Sequence, residues 1–396
     1  YEAYDYNILH ETFNYGIGAQ YMINKGNYIT ADCYADHFSS SYCFFKDNKT
    51  YNGKAGEEQV RKRTRNHNLS IKGIFKLGNR HKLSVGTEYI VDVLKSQTDN
   101  IAKEDAYTLA LFAQDEIKLL RNLQALIGVR YIYHENFKNH ATPNVALMYK
   151  PGKFNFRASY AAGFRTPTLS ELYATDIAKK NDRLTIGNLD LKPEKNNYFS
   201  LSAEYVHERF SVSVNAFYNN IRDMIDYNTI ATGDKAMEQY GHKEVRQRDN
   251  IAEAKVHGIN VSANAYLGAG FNLSGGYTHL NTQDVELEQP IDKSIKNAYN
   301  INAQWAHSWK IYRLNINLNG RINSKRFSKS YGYAPEYQLW DLNTRHSFNL
   351  KSVIIEPGCG MENLFDYMDD RPYNSNYATL TPGRSFYISL SLKFKS

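Results

Sequence analysis

The chain has 396 residues and a net charge of +7, with 32 Tyr, 19 Phe and 9 Pro, a strand-forming composition open to one large all-β body or to several smaller domains. A mean hydropathy of −0.59, with no apolar run near the roughly 20 residues that a spanning helix needs, excludes a helical membrane protein. A transmembrane β-barrel passes that test, because its strands alternate lipid-facing and lumen-facing residues, and Lys and Arg spread evenly along the chain argue against a nucleic-acid partner.

From the start of the chain, short connections are expected at 24–27, 78–81, 120–122, 151–153, 207–209, 268–270, 308–310 and 350–351. Longer links fall between them, near 47–59, 98–104, 135–141, 163–195, 222–247, 283–293, 326–335 and 364–383. Short and long connections in strict alternation suit an outer-membrane barrel, with tight periplasmic turns and longer extracellular loops; a soluble sandwich has no reason to keep that order. The chain opens at Tyr1 without Met or signal peptide, so residues upstream are expected to have been cut away or to be missing. Cys33, Cys43 and Cys359 are an odd set with no zinc spacing; Cys33 and Cys43 read as two separate thiols of one strand unless 34–42 forms a hairpin.

Period-two alternation marks half-buried strands. Phe154, Phe156, Ala158 and Tyr160 share one face against Asn155, Arg157 and Ser159; Phe199, Leu201, Ala203 and Tyr205 oppose Ser200, Ser202 and Glu204; Phe210, Val212, Val214, Ala216 and Tyr218 repeat the pattern. The final strand, 384–394, carries Phe386, Ile388, Leu390, Leu392 and Phe394 on one face. Tyr131, Tyr133, Phe217 and Tyr218 suit interfacial girdles. About eighteen strands are counted, and with link 163–195 outside the cell the last strand runs down to a periplasmic C-terminus.

The strand 153–162 leaves the membrane at Gly163, and Pro167, which cannot donate to a ladder, ends the pairing. There Phe164-Arg165-Thr166-Pro167, then Glu171-Leu172-Tyr173, then Gly187-Asn188-Leu189-Asp190-Leu191-Lys192-Pro193-Glu194 resemble the FRAP and NPDL boxes of TonB-dependent outer-membrane receptors. Pro143 to Pro151 leads in to them, and Asn250 to Gly258, Asn363-Leu364-Phe365-Asp366 and Pro382-Gly383-Arg384 follow in the family's order, with Phe394 closing the last strand. The resemblance implies a plugged 22-stranded barrel that imports scarce metal complexes or vitamins, energised through TonB.

The chain departs from that pattern in showing no plug, no TonB box and four strands too few, with the boxes four strands early. The expectation is one all-β transmembrane antiparallel barrel domain over 1–396, lacking the N-terminal plug and the first four strands. The rival is a complete eighteen-stranded passive porin, for which residues 1–9 would pair with 384–394.

Transport needs a held ligand. His134, His140, His242 and His279 fall near extracellular strand ends, where imidazole can ligate a haem iron, and Tyr173, Tyr240, Tyr331 and Tyr333 can stack on a porphyrin or corrin. Solvated loop histidines and packing tyrosines are the plainer readings. The short loops favour a compact haem or cobalamin receptor over the larger-looped siderophore and oligosaccharide receptors, and haem is expected first, then cobalamin or a ferric siderophore, although haem receptors commonly carry a histidine between the two boxes and 168–186 has none. Arg165 reads as a structural anchor, bonded to carbonyls or to a carboxylate such as Glu171. No GxSxG, HExxH or P-loop occurs, so no enzyme is expected, and no intrinsic metal or cofactor. The resemblance implies as partners outer-membrane lipid and the inner-membrane TonB complex acting through the plug, and leaves room for a surface lipoprotein.

Overall fold

Alternation becomes strand along nearly the whole chain in the computed structural model, which describes residues 5–49, 51–178, 182–328, 332–369 and 381–395. The elements are β1 (Tyr6–Asn24), β2 (Asn27–Phe44), β3 (Glu58–Leu77), β4 (His81–Ser96), β5 (Ile101–Leu120), β6 (Leu123–His134), β7 (Lys138–Tyr149), β8 (Phe154–Arg165), α1 (Leu169–Tyr173), β9 (Thr175–Ala178), β10 (Arg183–Ile186) and β11 (Glu194–Val206). There follow β12 (Phe210–Thr232), α2 (Gly233–Tyr240), β13 (Glu244–Gly268), β14 (Phe271–Asp284), β15 (Asn297–Trp309), β16 (Tyr312–Asn323), β17 (Arg326–Ser328), β18 (Gly332–Ala334), β19 (Tyr337–Asn349), β20 (Val353–Glu362) and β21 (Ser385–Phe394). Seventeen of these strands have ten residues or more, and β8 is the eighth of them, one place earlier than the turn count puts it. No helix among the described residues is long and apolar enough to cross a membrane.

The chain divides into two compact units: Tyr1–Leu147, Tyr160–Asn197 and Ile221–Glu253 form the first, Met148–Ser159, Tyr198–Asn220 and Ala254–Ser396 the second. In the first, β1 to β6 pair in succession as antiparallel hairpins. In the second, β13 and β14 pair, and β14, β15, β16, β19, β20 and β21 follow one another in the same way.

Register shows which face is which. In the first unit Leu69 stands opposite Tyr89, Tyr89 opposite Leu109, and Leu109 opposite Tyr133; Leu69, Ile71, Tyr89, Leu109 and Leu111 of this face are all exposed. The other face is polar: Asn66 donates to Asp92 and Asn68 to Glu88, each at 2.8 Å, and Arg130 also donates to Glu88. An apolar outside and a hydrogen-bonded inside reverse a soluble fold, as a barrel wall in lipid requires. Residues 7–24 of β1 are exposed on both faces, as are nine of the ten residues of β21.

Several loop expectations need correction. Most of 222–247 is strand, because β12 runs to Thr232 and β13 starts at Glu244; above the membrane both faces meet water, so alternation fades while the ladder continues. Links 98–104 and 135–141 shrink to 97–100 and 135–137, closed by Asn100 and Lys138 with φ of 53° and 59°. Phe217 is no girdle residue: it stacks on Tyr198 at 6.2 Å, on the face opposite exposed Tyr218. Cys33 and Cys43 are separate thiols within β2, and Cys359 is also free.

Candidate functional site

Apolar burial in the first unit gathers where the links fold over the strand ends. Thr168-Leu-Ser-Glu171 closes a capping box on α1: Thr168 Oγ1 accepts from Glu171 N at 3.2 Å and Thr168 N donates to Glu171 Oε2 at 2.8 Å. Leu172 is buried with Leu191 and Ile225, covered by Phe137 and Tyr173; Leu169 packs with Leu94, Ile101 and Ala106.

Arg165, the last residue of β8, ties these pieces together. Its Nε donates to Glu194 Oε2 at 2.7 Å and its Nη1 to Glu171 Oε2 at 3.0 Å. Glu194 also accepts from Ile225 N at 2.9 Å. Burial alone would raise the Glu171 pKa; hydrogen bonds and charge from Arg165, with Thr168 N–H and hydroxyl, win and hold it below the usual carboxylate value.

The second box docks by its backbone. Gly187 N donates to Ala174 O at 2.7 Å and Asn188 N to Glu171 O at 3.0 Å, while Asp190 N donates to Asn188 Oδ1 at 2.9 Å. Pro167 and Pro193 are buried, and Asp190 is exposed. Asn250 locks the far side: its side-chain amide donates to Lys192 O at 2.9 Å and Asp223 O at 2.6 Å, and accepts from Lys192 N at 2.7 Å.

Beside this anchor lies a polar cavity of about 150 Å³, lined in part by Asp99, Asp176, Arg183, Tyr227, Arg246 and Arg248. Strand β10 delivers Arg183 by pairing antiparallel with β9 and parallel with β13, Arg183 opposite Glu244 and Thr185 opposite Arg246. Arg248 lies 3.5 Å over the Tyr227 ring and donates to its hydroxyl at 2.6 Å; Arg246 donates to Glu244 at 2.5 Å. Arg183 Nε is buried with no partner among the described residues. Burial and the charge of Asp99 push the Asp176 carboxyl up, against the pull of Arg183. Lys62 neutralises Asp99 at 3.6 Å, which leaves the cavity with surplus positive charge.

The sequence candidates stand elsewhere and are bonded locally. His134 is buried, accepts from Asn136 N at 3.1 Å and lies against Phe137. His140 stacks on Phe164 at 4.0 Å and bonds Phe137 O at 2.9 Å. His242 pairs with Asp182 at 2.9 Å, and His279 bonds Asn297 at 2.8 Å in the second unit. No group of three or more His, Cys, Asp or Glu among the described residues is placed to hold a metal. Tyr173 packs in the clusters under α1, and Tyr240 packs against the cluster of Ala231, Ala236 and Val245. Tyr333 is exposed, edge-on to Phe327 at 5.4 Å; Tyr331 lies outside the described residues.

The late motif forms a clasp in the second unit. Buried Asn363, at a φ of 50°, donates to Tyr367 O at 2.7 Å and Pro382 O at 3.0 Å and accepts from Tyr367 N at 2.9 Å. Leu364 N reaches Trp340 O at 2.6 Å, Phe365 lies edge-on to Trp340 at 6.4 Å, and Arg384 N, next to Gly383, donates to Asp366 at 2.7 Å. Phe394 is exposed on β21.

A family profile described as TonB dependent receptor-like, beta-barrel matches residues 2–364. Among solved structures, the ferric enterobactin receptor of Pseudomonas aeruginosa, in a mutant form, superposes with a TM-score of 0.79 at 18% identity, covering 98% of this chain and 62% of its own. The siderophore receptor PirA of Acinetobacter baumannii gives 0.76 at 16%, covering 98% and 62%. The ferric preacinetobactin receptor BauA of the same organism gives 0.70 at 15%, covering 98% and 63%. The chain thus spans less than two thirds of the length of these structures. The family is one of receptors and transporters rather than an enzyme class, and its match displaces the passive porin. With its antiparallel transmembrane β-barrel fold and outer-membrane setting, the chain belongs to the TonB-dependent receptors.

Proposed function

We propose that this protein takes up a ferric siderophore, an anionic iron chelate, and that one chelating arm of it enters the arginine-lined cavity. The observation that carries this reading is the buried Arg183 Nε, without a partner among the described residues, beside Arg246 and Arg248. A buried donor left unpaired costs about 1–3 kcal/mol, which an acidic oxygen returns as a charge-assisted bond. A cavity of about 150 Å³ is comparable to one known to hold a single benzene-sized ring. It therefore suits one chelating arm and not a porphyrin. The names of the similar structures, all siderophore receptors, point the same way.

Haem, the first expectation from sequence, loses support because none of its four histidines, His134, His140, His242 and His279, lines this cavity. In this account the cargo is the only metal, the chain works without intrinsic cofactor or catalysis, residues 1–396 act as one barrel domain, and TonB energises release. Titration of the full receptor with a ferric catecholate, followed by tryptophan quenching, and with haemin, followed at the Soret band, tests it. Saturable catecholate binding without a haemin complex agrees; tight haemin binding lost on substitution of His134, His140, His242 and His279 by Ala overturns it.

A further inference from the structure

The outward face of the first unit carries a cationic cluster that the cargo site does not use. Along β3, Arg63, Arg65, His67, Leu69 and Ile71 alternate onto one exposed face, while 62, 64, 66, 68 and 70 turn the other way and are less exposed. Leu69 and Ile71 belong to the apolar wall, so Arg63 and Arg65 point outward beyond it, toward the link that follows β2. Register places Lys95 of β4 directly opposite Arg63, His37 of β2 opposite Arg65, and Ser39 opposite Arg63.

Two cations facing one another across a strand pair are destabilising, and the fold does little to relieve them. The side chains of Arg63, Arg65 and Lys95 make no hydrogen bond or ion pair among the described residues. Of the acids nearby, Glu11 accepts from Ser39 at 3.4 Å and Asp105 pairs with Lys103 at 2.9 Å. His37 lies edge-on to His67 at 5.4 Å, and its Nε2 is buried without a hydrogen-bond partner among the described residues. Directly opposed side chains start about 5 Å apart and residues two apart on a strand about 7 Å apart, so the three cations frame a space the size of one phosphate group.

Depth selects the occupant. The apolar residues of this face end at Leu69, and Arg65 stands four residues beyond it, about 13 Å along the strand, past the edge of the apolar band and level with headgroups. At the loop-bearing end that level is the outer leaflet, whose glycolipid carries phosphate monoesters on its sugar headgroup. We propose that Arg63, Arg65 and Lys95 form a docking site for this phosphorylated glycolipid. Guanidinium groups bind phosphate oxygens in pairs, and the ammonium adds a point charge.

The full receptor, purified in detergent and stripped of lipid, is titrated with four probes: rough glycolipid, the same glycolipid after enzymatic dephosphorylation, phosphatidylglycerol and inorganic phosphate. The wild type is expected to bind only the first tightly. Each lost cation should weaken it about fivefold, so that Arg63→Ser, Arg65→Ser and Lys95→Ser together lower affinity roughly a hundredfold. The set Arg63→Lys, Arg65→Lys and Lys95→Arg should retain most of it. Heat-modifiable gel mobility reports folding, and if the triple variant fails to fold, Arg65→Ser alone must show the fivefold loss. Equal binding of dephosphorylated glycolipid or phosphatidylglycerol, displacement by inorganic phosphate at matched concentration, or unchanged affinity in the serine variants overturns the proposal.

Discussion

Arg165 and Glu194, 29 residues apart, meet as a two-bond guanidinium–carboxylate pair, Nε to Oε2 at 2.7 Å and Nη2 to Oε1 at 2.5 Å. Because Glu194 also holds Ile225 N, the end of β8, the start of β11 and β12 are fixed relative to one another. Arg165→Ala strands two half-buried carboxylates and should loosen the links by about 1–3 kcal/mol, seen as faster amide exchange over 166–193 with unchanged heat-modifiable mobility. Arg165→Lys, which lacks the planar fork, should recover only part.

Acid should loosen the same anchor. The folded Glu171 pKa is depressed, so its stabilisation is complete above the ordinary carboxylate range and is lost as pH falls through the lowered folded value. Amide exchange in α1 should accelerate below about pH 4.5 in the wild type and show no such step in Glu171→Gln.

Gly187 admits no side chain. A Cβ there would stand 2.5 Å from Leu172 O and 2.8 Å from Tyr173 N, both backbone atoms that cannot turn aside. Gly187→Ala should undock the second box from α1, at a cost of about 1–3 kcal/mol, and expose 187–193 to limited proteolysis.

Asp176 opposes an anionic ligand, and its raised carboxyl pKa means that it gives up its charge more readily than usual as pH falls. Chelate affinity should therefore rise on mild acidification. Asp176→Asn should remove that dependence and raise affinity at neutral pH by roughly fivefold, about 1 kcal/mol, in titrations repeated as the pH is lowered from neutrality.

Much of the wall was legible because a strand in lipid must alternate. The Phe199 to Tyr205 pattern and the turn at Gly268 to Gly270 both reappear, in β11 and between β13 and β14. The reach of β12 and β13 beyond the membrane was not, since Asn228, Arg246 and Arg248 lie where both faces are wet and periodicity carries no signal. The cavity had one faint mark: Arg246 and Arg248, two apart on an extended segment, share a face. Arg183, however, arrives through the parallel pairing of β10 with β13, a long-range contact that no local pattern encodes. The histidines misled for the opposite reason: their residue type suits iron, but each is bonded through one ring nitrogen to Asn136, Phe137, Asp182 or Asn297, and none lines the cavity.

The central claim is that the arginine-lined cavity reads the negative charge of a ferric chelate. Its most direct test is the dissociation constant of the full receptor for a ferric tris-catecholate, in the wild type and in Arg183→Ala, Arg246→Ala and Arg248→Ala. Loss of one charge-assisted bond is worth about 1.5–3 kcal/mol, so the account predicts roughly ten- to hundredfold weaker binding in Arg183→Ala, smaller losses in the other two and a salt dependence that is steepest in the wild type. Equal affinity in all four proteins, insensitive to salt, would contradict it.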